Sequence, residues 1–160
     1  KEVFSILGDM GASVKVEDGS ITIKGNGLKG REIDMNAIPD ALPAMAVAAC
    51  FAEGVTKLVN VPQARLKETD RIKVMCEELS KMGADIKELE DGLVIKRSNL
   101  KGCRLKGYDD HRIVMALSLA GLNAEGETTI ATAEAIKVTF PEYVELMKNS
   151  GADMDFVAEQ

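Results

Sequence analysis

The chain has 160 residues, 46% of them hydrophobic and 29% charged, the proportions of a globular domain with a sizeable core. Its formal net charge of −6 argues against nucleic acid as a partner, because a phosphate-backbone binder shows a basic patch; any anion must be met by a few clustered cations. No apolar run nears the ~20 residues of a membrane-spanning helix, and Lys1-Glu2 offers neither an initiator Met nor the start of a signal peptide, so a fragment or processed product is expected.

The elements follow in chain order. A helix ends at Met10-Gly11, where Gly suits a left-handed helix stop. An alternating strand, 12–17, meets Asp18-Gly19, a hairpin turn signal, and a second strand runs over 20–24. After a loop and a short strand, an Ala-, Met- and Val-rich helix is predicted over 39–52; it is apolar nearly all round and belongs in the interior. A strand over 56–61 leads to a second helix, 69–82. The order then repeats: strand 84–90, a turn at Asp91-Gly92, strand 93–97, helix 110–123, strand 128–131 and helix 141–150.

The repetition is literal. Leu28-Lys29-Gly30 recurs as Leu100-Lys101-Gly102, Ala52-Glu53-Gly54 as Ala124-Glu125-Gly126, and Gly11-Ala12-Ser13 as Gly83-Ala84-Asp85, all at an offset of 72 (100 − 28). A third Gly-Ala-Asp, at Gly151, comes 68 residues later (151 − 83), so the last helix should be about one turn shorter. The fold class is therefore α/β (α+β): repeated βαβαββ units, about two of them with ragged ends, in one partial domain spanning 1–160.

Two segments carry clustered charge. Arg65-Leu66-Lys67-Glu68-Thr69-Asp70-Arg71 lies where a strand passes into a helix, with Thr69 as the N-cap candidate. It is either an anion site at a helix start, using the planar Arg fork, or a solvated, salt-bridged helix start. Tyr108-Asp109-Asp110-His111-Arg112 precedes the second apolar helix and holds the single His. Here Asp109 or Asp110 caps the helix, with Arg112 either exposed or facing a site. At the offset of 72, Arg112 matches Asp40 and His111 matches Pro39. Pseudo-symmetric units would bring an acid and several cations to one mouth, which suits proton transfer on an anionic substrate. For Asp40 alone, an ordinary first-turn helix acid is the plainer account. Cys50, Cys76 and Cys103 form no CxxC or His/Cys cluster, which argues against zinc and fits a reduced, cytoplasmic setting.

Lys67-Glu68-Thr69-Asp70-Arg71 resembles the hallmark of the 3-phosphoshikimate 1-carboxyvinyltransferase (EPSP synthase) family. Asp34-Met35-Asn36 with Ile38-Pro39-Asp40-Ala41 resembles the segment with the family's catalytic Asp. Asp109-Asp110-His111-Arg112-Ile113-Val114-Met115-Ala116 resembles its (N/D)DHR segment, and Thr139-Phe140-Pro141-Glu142-Tyr143 its (T/S)(F/Y)P motif. The resemblance implies two similar domains of three βαβαββ units each, an inside-out α/β barrel of the EPT/RTPC-like type, with this chain as the later part of the C-terminal domain. It implies transfer of the enolpyruvyl group of phosphoenolpyruvate to the 5-hydroxyl of shikimate 3-phosphate, with no cofactor and no metal. The partner implied is the N-terminal part of the same enzyme.

By this resemblance Asp40 takes the hydroxyl proton and helps hold the shikimate ring, and Glu68 protonates the methylene carbon of phosphoenolpyruvate. Lys67 contacts the shikimate substrate, and Arg71 and Arg112 clamp the phosphoenolpyruvate anion. Gln63, His111 and Lys137 complete the substrate-binding set. Two positions depart from the pattern: the Lys before T-F-P is Val138 here, with Lys137 one residue earlier, and some relatives carry Asn where Gln63 stands. Other accounts are a non-catalytic anion-binding domain or a UDP-N-acetylglucosamine enolpyruvyl transferase, whose motifs have no match here. The isolated chain should turn over negligibly, because half a cleft neither fixes both substrates nor excludes water.

Overall fold

A computed structural model describes residues 2–157. Helix α1 (Glu2–Asp9) leads to the hairpin β1 (Ser13–Glu17) and β2 (Ser20–Lys24). Next come β3 (Glu32–Asp34), α2 (Leu42–Phe51), β4 (Val55–Val59), α3 (Arg71–Lys81), β5 (Asp85–Leu89) and β6 (Gly92–Lys96), one βαβαββ unit. A second begins with β7 (Arg104–Lys106), α4 (His111–Leu122) and β8 (Thr129–Ala131), followed by the short helices α5 (Ile136–Thr139) and α6 (Tyr143–Asn149). At 7 residues against 11, α6 is one turn shorter than α3, as the offset of 68 predicts.

Strands β3 and β4 pair in parallel, with α2 as the crossover, and the β5–β6 hairpin joins through an antiparallel β4–β6 pair. In the next unit β7 and β8 pair in parallel across α4. The repeated tripeptides are the fastening of each unit. The Gly30 amide donates to the Glu53 carbonyl at 2.7 Å, and the Gly102 amide to the Glu125 carbonyl at 2.7 Å. A Cβ at Gly30 would lie 2.4 Å from the Val55 carbonyl oxygen, and one at Gly102 2.2 Å from that of Glu127. Only glycine permits this approach.

Helix α2 is the interior helix. Leu42, Pro43, Met45, Ala46, Val47, Ala49 and Cys50 are buried, and it packs against α3, α4, β4 and β6. Burial pushes the Cys50 thiol up to about 12, so it behaves as a small core hydrophobe.

Three local expectations are corrected. The helix from Pro39 opens as a 3-10 turn, Pro39–Ala41, and becomes α-helical only at Leu42, where Pro43, with no amide hydrogen, is tolerated in the first turn. The N-cap of α3 is Asp70, not Thr69: its carboxylate accepts from the Lys73 amide at 3.0 Å. The second hairpin turns at Glu90-Asp91, because Leu89 pairs with Gly92. Gly92 lies in β6, where a Cβ would meet the Leu58 carbonyl oxygen at 1.8 Å, so close strand approach places that glycine.

Candidate active site

The starts of α2, α3 and α4 converge, and the sequence puts charge at each. Arg71, the first residue of α3, is 1% exposed. Its Nε donates to Asp110 Oδ2 at 2.8 Å and its Nη2 to Asp110 Oδ1 at 3.2 Å and Glu68 Oε2 at 2.6 Å. Its Nη1 donates to Asp40 Oδ1 at 2.9 Å. One guanidinium therefore holds three carboxylates from three helix starts, with the bidentate geometry that favours Arg over Lys.

Asp110 is fully buried and serves twice. It is the N-cap of α4, accepting from the Arg112 amide at 2.9 Å, and it is the counter-ion of Arg71. Desolvating both charges is repaid only because nearly every hydrogen-bonding position on the pair is filled. Asp40 is different, with its side chain 47% exposed. Besides Arg71 it faces Lys67 Nζ at 3.2 Å and Arg112 Nη2 at 3.5 Å. Burial alone would raise its pKa, but the Lys67 hydrogen bond and the charges of Arg112, Lys67 and Arg71 outweigh it and hold the carboxyl below the ordinary range.

Among the sequence-derived candidates, Asp40, Lys67, Glu68, Arg71 and Arg112 form one cluster. The match of Asp40 with Arg112 across the repeat is realised as a contact between helix starts. Gln63 sits on the 3-10 turn Pro62–Leu66 beside the cluster, donating from Nε2 to the Asn36 carbonyl at 3.1 Å. His111 is the first residue of α4 and half-buried. Lys137, on α5, lies with its ammonium 3.9 Å from the Phe156 ring centroid, and among the described residues it makes no ion pair.

Arg71 departs from an open anion clamp, because its donors are already spent on carboxylates. Lys67 and Arg112, partly exposed, are the cations of the cluster that reach the surface. Arg65, in the same charged segment, is structural: it holds Asp70 at 2.9 Å, Glu88 at 2.7 Å and the Leu89 carbonyl at 2.6 Å, tying the α3 start to the hairpin.

Sequence reasoning missed the depth of Asp110 and the whole of Glu78. The signal was available in α3, where Arg71 and Glu78, seven residues apart, share the face of Ile72, Met75 and Leu79. A cavity of about 640 Å³ between α4, β8 and residues 153–157 lies apart from this cluster, and its charged lining, Glu127, Asp153 and Asp155, is wholly acidic. No group of three or more His, Cys, Asp or Glu among the described residues is placed to hold a metal.

An α/β protein of repeated units, with acids and cations gathered at converging helix starts, is the class that fold and site define. Its fold is shared with the enolpyruvyl transferase NikO from Streptomyces tendae, at a TM-score of 0.78 and 22% identity over 99% of this chain and 36% of that one. Residues 1–147 match the sequence model of EPSP synthase (3-phosphoshikimate 1-carboxyvinyltransferase), and the chain belongs to that family. It is 73% identical over 154 residues to the 3-phosphoshikimate 1-carboxyvinyltransferase of Acetivibrio thermocellus, covering 96% of this chain and 36% of that protein. Identity to the enzyme of the same name from Methanocaldococcus jannaschii is 48% over 157 residues, or 97% and 37% of the two chains. The EPSP synthase structure from Acinetobacter baumannii superposes with a TM-score of 0.88 at 36% identity, covering 96% of this chain and 39% of that one. The chain thus spans about a third of the length of the curated relatives it matches.

Proposed function

We propose that this chain supplies one wall of the active site of a 3-phosphoshikimate 1-carboxyvinyltransferase, and that the further length found in its relatives supplies the other. The reaction moves the enolpyruvyl group of phosphoenolpyruvate to the 5-hydroxyl of shikimate 3-phosphate. Glu68 gives a proton to the methylene carbon, a cationic centre develops at the adjacent carbon, and the hydroxyl attacks it while Asp40 takes the hydroxyl proton. Loss of phosphate with the added methylene proton regenerates the double bond, so the atoms balance.

The observation that carries this reading is Asp40 itself, a half-exposed carboxylate at 2.9 to 3.5 Å from three cations on two other helix starts and the loop before α3. The cluster is also charge-balanced, with Asp40, Glu68 and Asp110 against Lys67, Arg71 and Arg112. Glu68, half-exposed and held by Arg71 at 2.6 Å, is the acid placed to give the proton. As Lys67 and Arg112 turn to the substrates, Asp40 loses the partners that depress its pKa and becomes a better base. Lys67 contacts the acceptor and Arg112 the donor anion. Arg71, buried behind them, aligns Asp40 and Glu68 and acts on the donor only through these two carboxylates. Gln63 and His111 line the rim, and Lys137 reaches the donor only by leaving Phe156.

Phosphate release by the full-length protein supplied with both substrates tests this. Turnover in the ordinary range of about 1–10³ s⁻¹ is expected. No phosphate release from this pair would overturn the reading.

A further inference from the structure

Helix α3 buries a second acid that the reaction does not use. Glu78 is 0% exposed. Its Oε1 accepts from Lys81 Nζ at 2.6 Å and from the Tyr108 hydroxyl at 3.0 Å, and its Oε2 accepts from the Lys106 amide at 2.9 Å. A buried carboxylate is costly unless fully partnered. The fold does not ask for one here. At the offset of 72 the equivalent residue is Ile6, which packs against the apolar core from α1. The charge therefore answers a need particular to the second unit.

That need lies in the loop between β7 and α4. Tyr108 and Asp109 both have φ of 56°, a left-handed conformation costly for any residue with a side chain and costlier for two in succession. The Asp110 amide closes the turn on the Gly107 carbonyl at 3.0 Å, and the Asp109 amide donates to the Thr132 hydroxyl at 3.2 Å. The turn sends Asp110 inward to Arg71 and leaves Arg112 at the mouth beside Asp40. Glu78 grips it from both sides, through the Lys106 amide before it and the Tyr108 hydroxyl within it. In the first unit Asn36 stands in place of Tyr108 without the left-handed backbone, and an exposed network holds the segment: Asp34 accepts from the Asn36 amide at 2.8 Å and from Asn60 Nδ2 at 2.9 Å. Where the first unit uses exposed groups, the second uses a buried carboxylate, Glu78, to hold Tyr108. Burial and Glu78 push the Tyr108 hydroxyl up to about 12, so it stays a donor through neutral pH.

We propose that Glu78 is a positioning residue for the donor side of the site: through Tyr108 and the Lys106 amide it fixes the Gly107–Asp110 turn, and so the placement of Arg112 against Asp40. The kinetic consequence rests on the functional reading above; the placement itself does not.

The test is Tyr108→Phe in the full-length protein, with Glu78→Gln as the second variant. Tyr108→Phe removes one hydroxyl, keeps the ring and leaves Glu78 its contacts with Lys81 and the Lys106 amide, so the protein still folds. The Arg112 side-chain Nε resonance should move. The KM for phosphoenolpyruvate should rise roughly tenfold, the worth of one hydrogen bond to a charged group, while the KM for shikimate 3-phosphate holds and the melting temperature falls modestly, because Glu78 loses one of its partners. Glu78→Gln should shift the same resonance in the same direction. An unmoved Arg112 resonance, or a lowered melting temperature with both KM values unchanged, would overturn the proposal and leave Glu78 a structural tie. Failure of the functional reading looks different: the unmodified protein would not turn over the pair, while Tyr108→Phe would still move the Arg112 resonance.

Discussion

Arg71 and Asp110 show how a site is held by charges that do not themselves face the opening. Both are buried, and removing one strands the other, which costs about 3–5 kcal/mol for such pairs. Arg71→Met is expected to lower the urea unfolding free energy by that amount, and adding Asp110→Asn should return part of it; a purely additive double variant would mean that the two do not interact. Asp40 lies at the other extreme. Its depressed pKa means that its ionised form is favoured by folding. The contribution is present above the ordinary carboxylate value of 3.8 and is lost as pH falls through the lower folded value. Asp40→Asn should therefore be slightly less stable than the parent at neutral pH, by under about 1 kcal/mol for so exposed a group, with the difference vanishing on acid titration. The acid limb of kcat/KM should lie below the usual carboxylate range, and that of kcat higher, once substrates have drawn the cations away. The pairing of Asp40 with Arg112 was legible in the sequence, because a repeat offset of 72 turns two distant positions into structural equivalents. Asp110 was also one of the two cap candidates for α4, and it is the cap; its pairing with Arg71 and the partners of Glu78 were not legible, because they lie 39 and 30 residues away and only the packed structure brings them together.

Among the elements, the repeat was legible down to its tripeptides, since Leu-Lys-Gly and Ala-Glu-Gly are the two sides of one parallel bridge, Lys29 with Glu53 and Lys101 with Glu125. Gly102→Ala should destabilise by about 1–3 kcal/mol or more, because the intruding Cβ meets backbone and not a side chain that can swing away; an unchanged denaturation midpoint would show that the strands can part at no cost. The turn at Asp91-Gly92 was misread for an instructive reason. A Gly after Asp signals a hairpin, yet this Gly is set by the approach of β4 to β6, a tertiary demand that looks the same in sequence. The offset held the answer, since Asp18-Gly19 maps onto Glu90-Asp91 and not onto Asp91-Gly92. The 3-10 opening before α2 was likewise written in Pro39 and Pro43, two prolines spaced so that only the second can start an α-helix.

On the scale of the whole molecule, the two hairpins tell what the chain needs beyond itself. Leu93 and Ile95 of β6 are fully buried, with α2 and α3 packed against that strand. Their equivalents in β2, Ile21 and Ile23, are 46% and 45% exposed, beside Val16 at 67%. An apolar hairpin face of this kind favours association, so the chain on its own should sediment as more than a monomer at high concentration, and Ile21→Thr, Ile23→Thr should reduce this. The isolated chain is also expected to release no phosphate from the two substrates, since it spans about a third of its relatives' length; normal turnover without the rest would contradict the shared-site account. The most direct test of that account is Asp40→Ala in the full-length protein, with turnover and melting temperature measured together. The account predicts a fall in kcat of about 10²–10⁴-fold, the usual worth of a positioned base, with the fold intact. Unchanged turnover per folded molecule, with a lowered melting temperature, would make Asp40 a helix-start acid and nothing more.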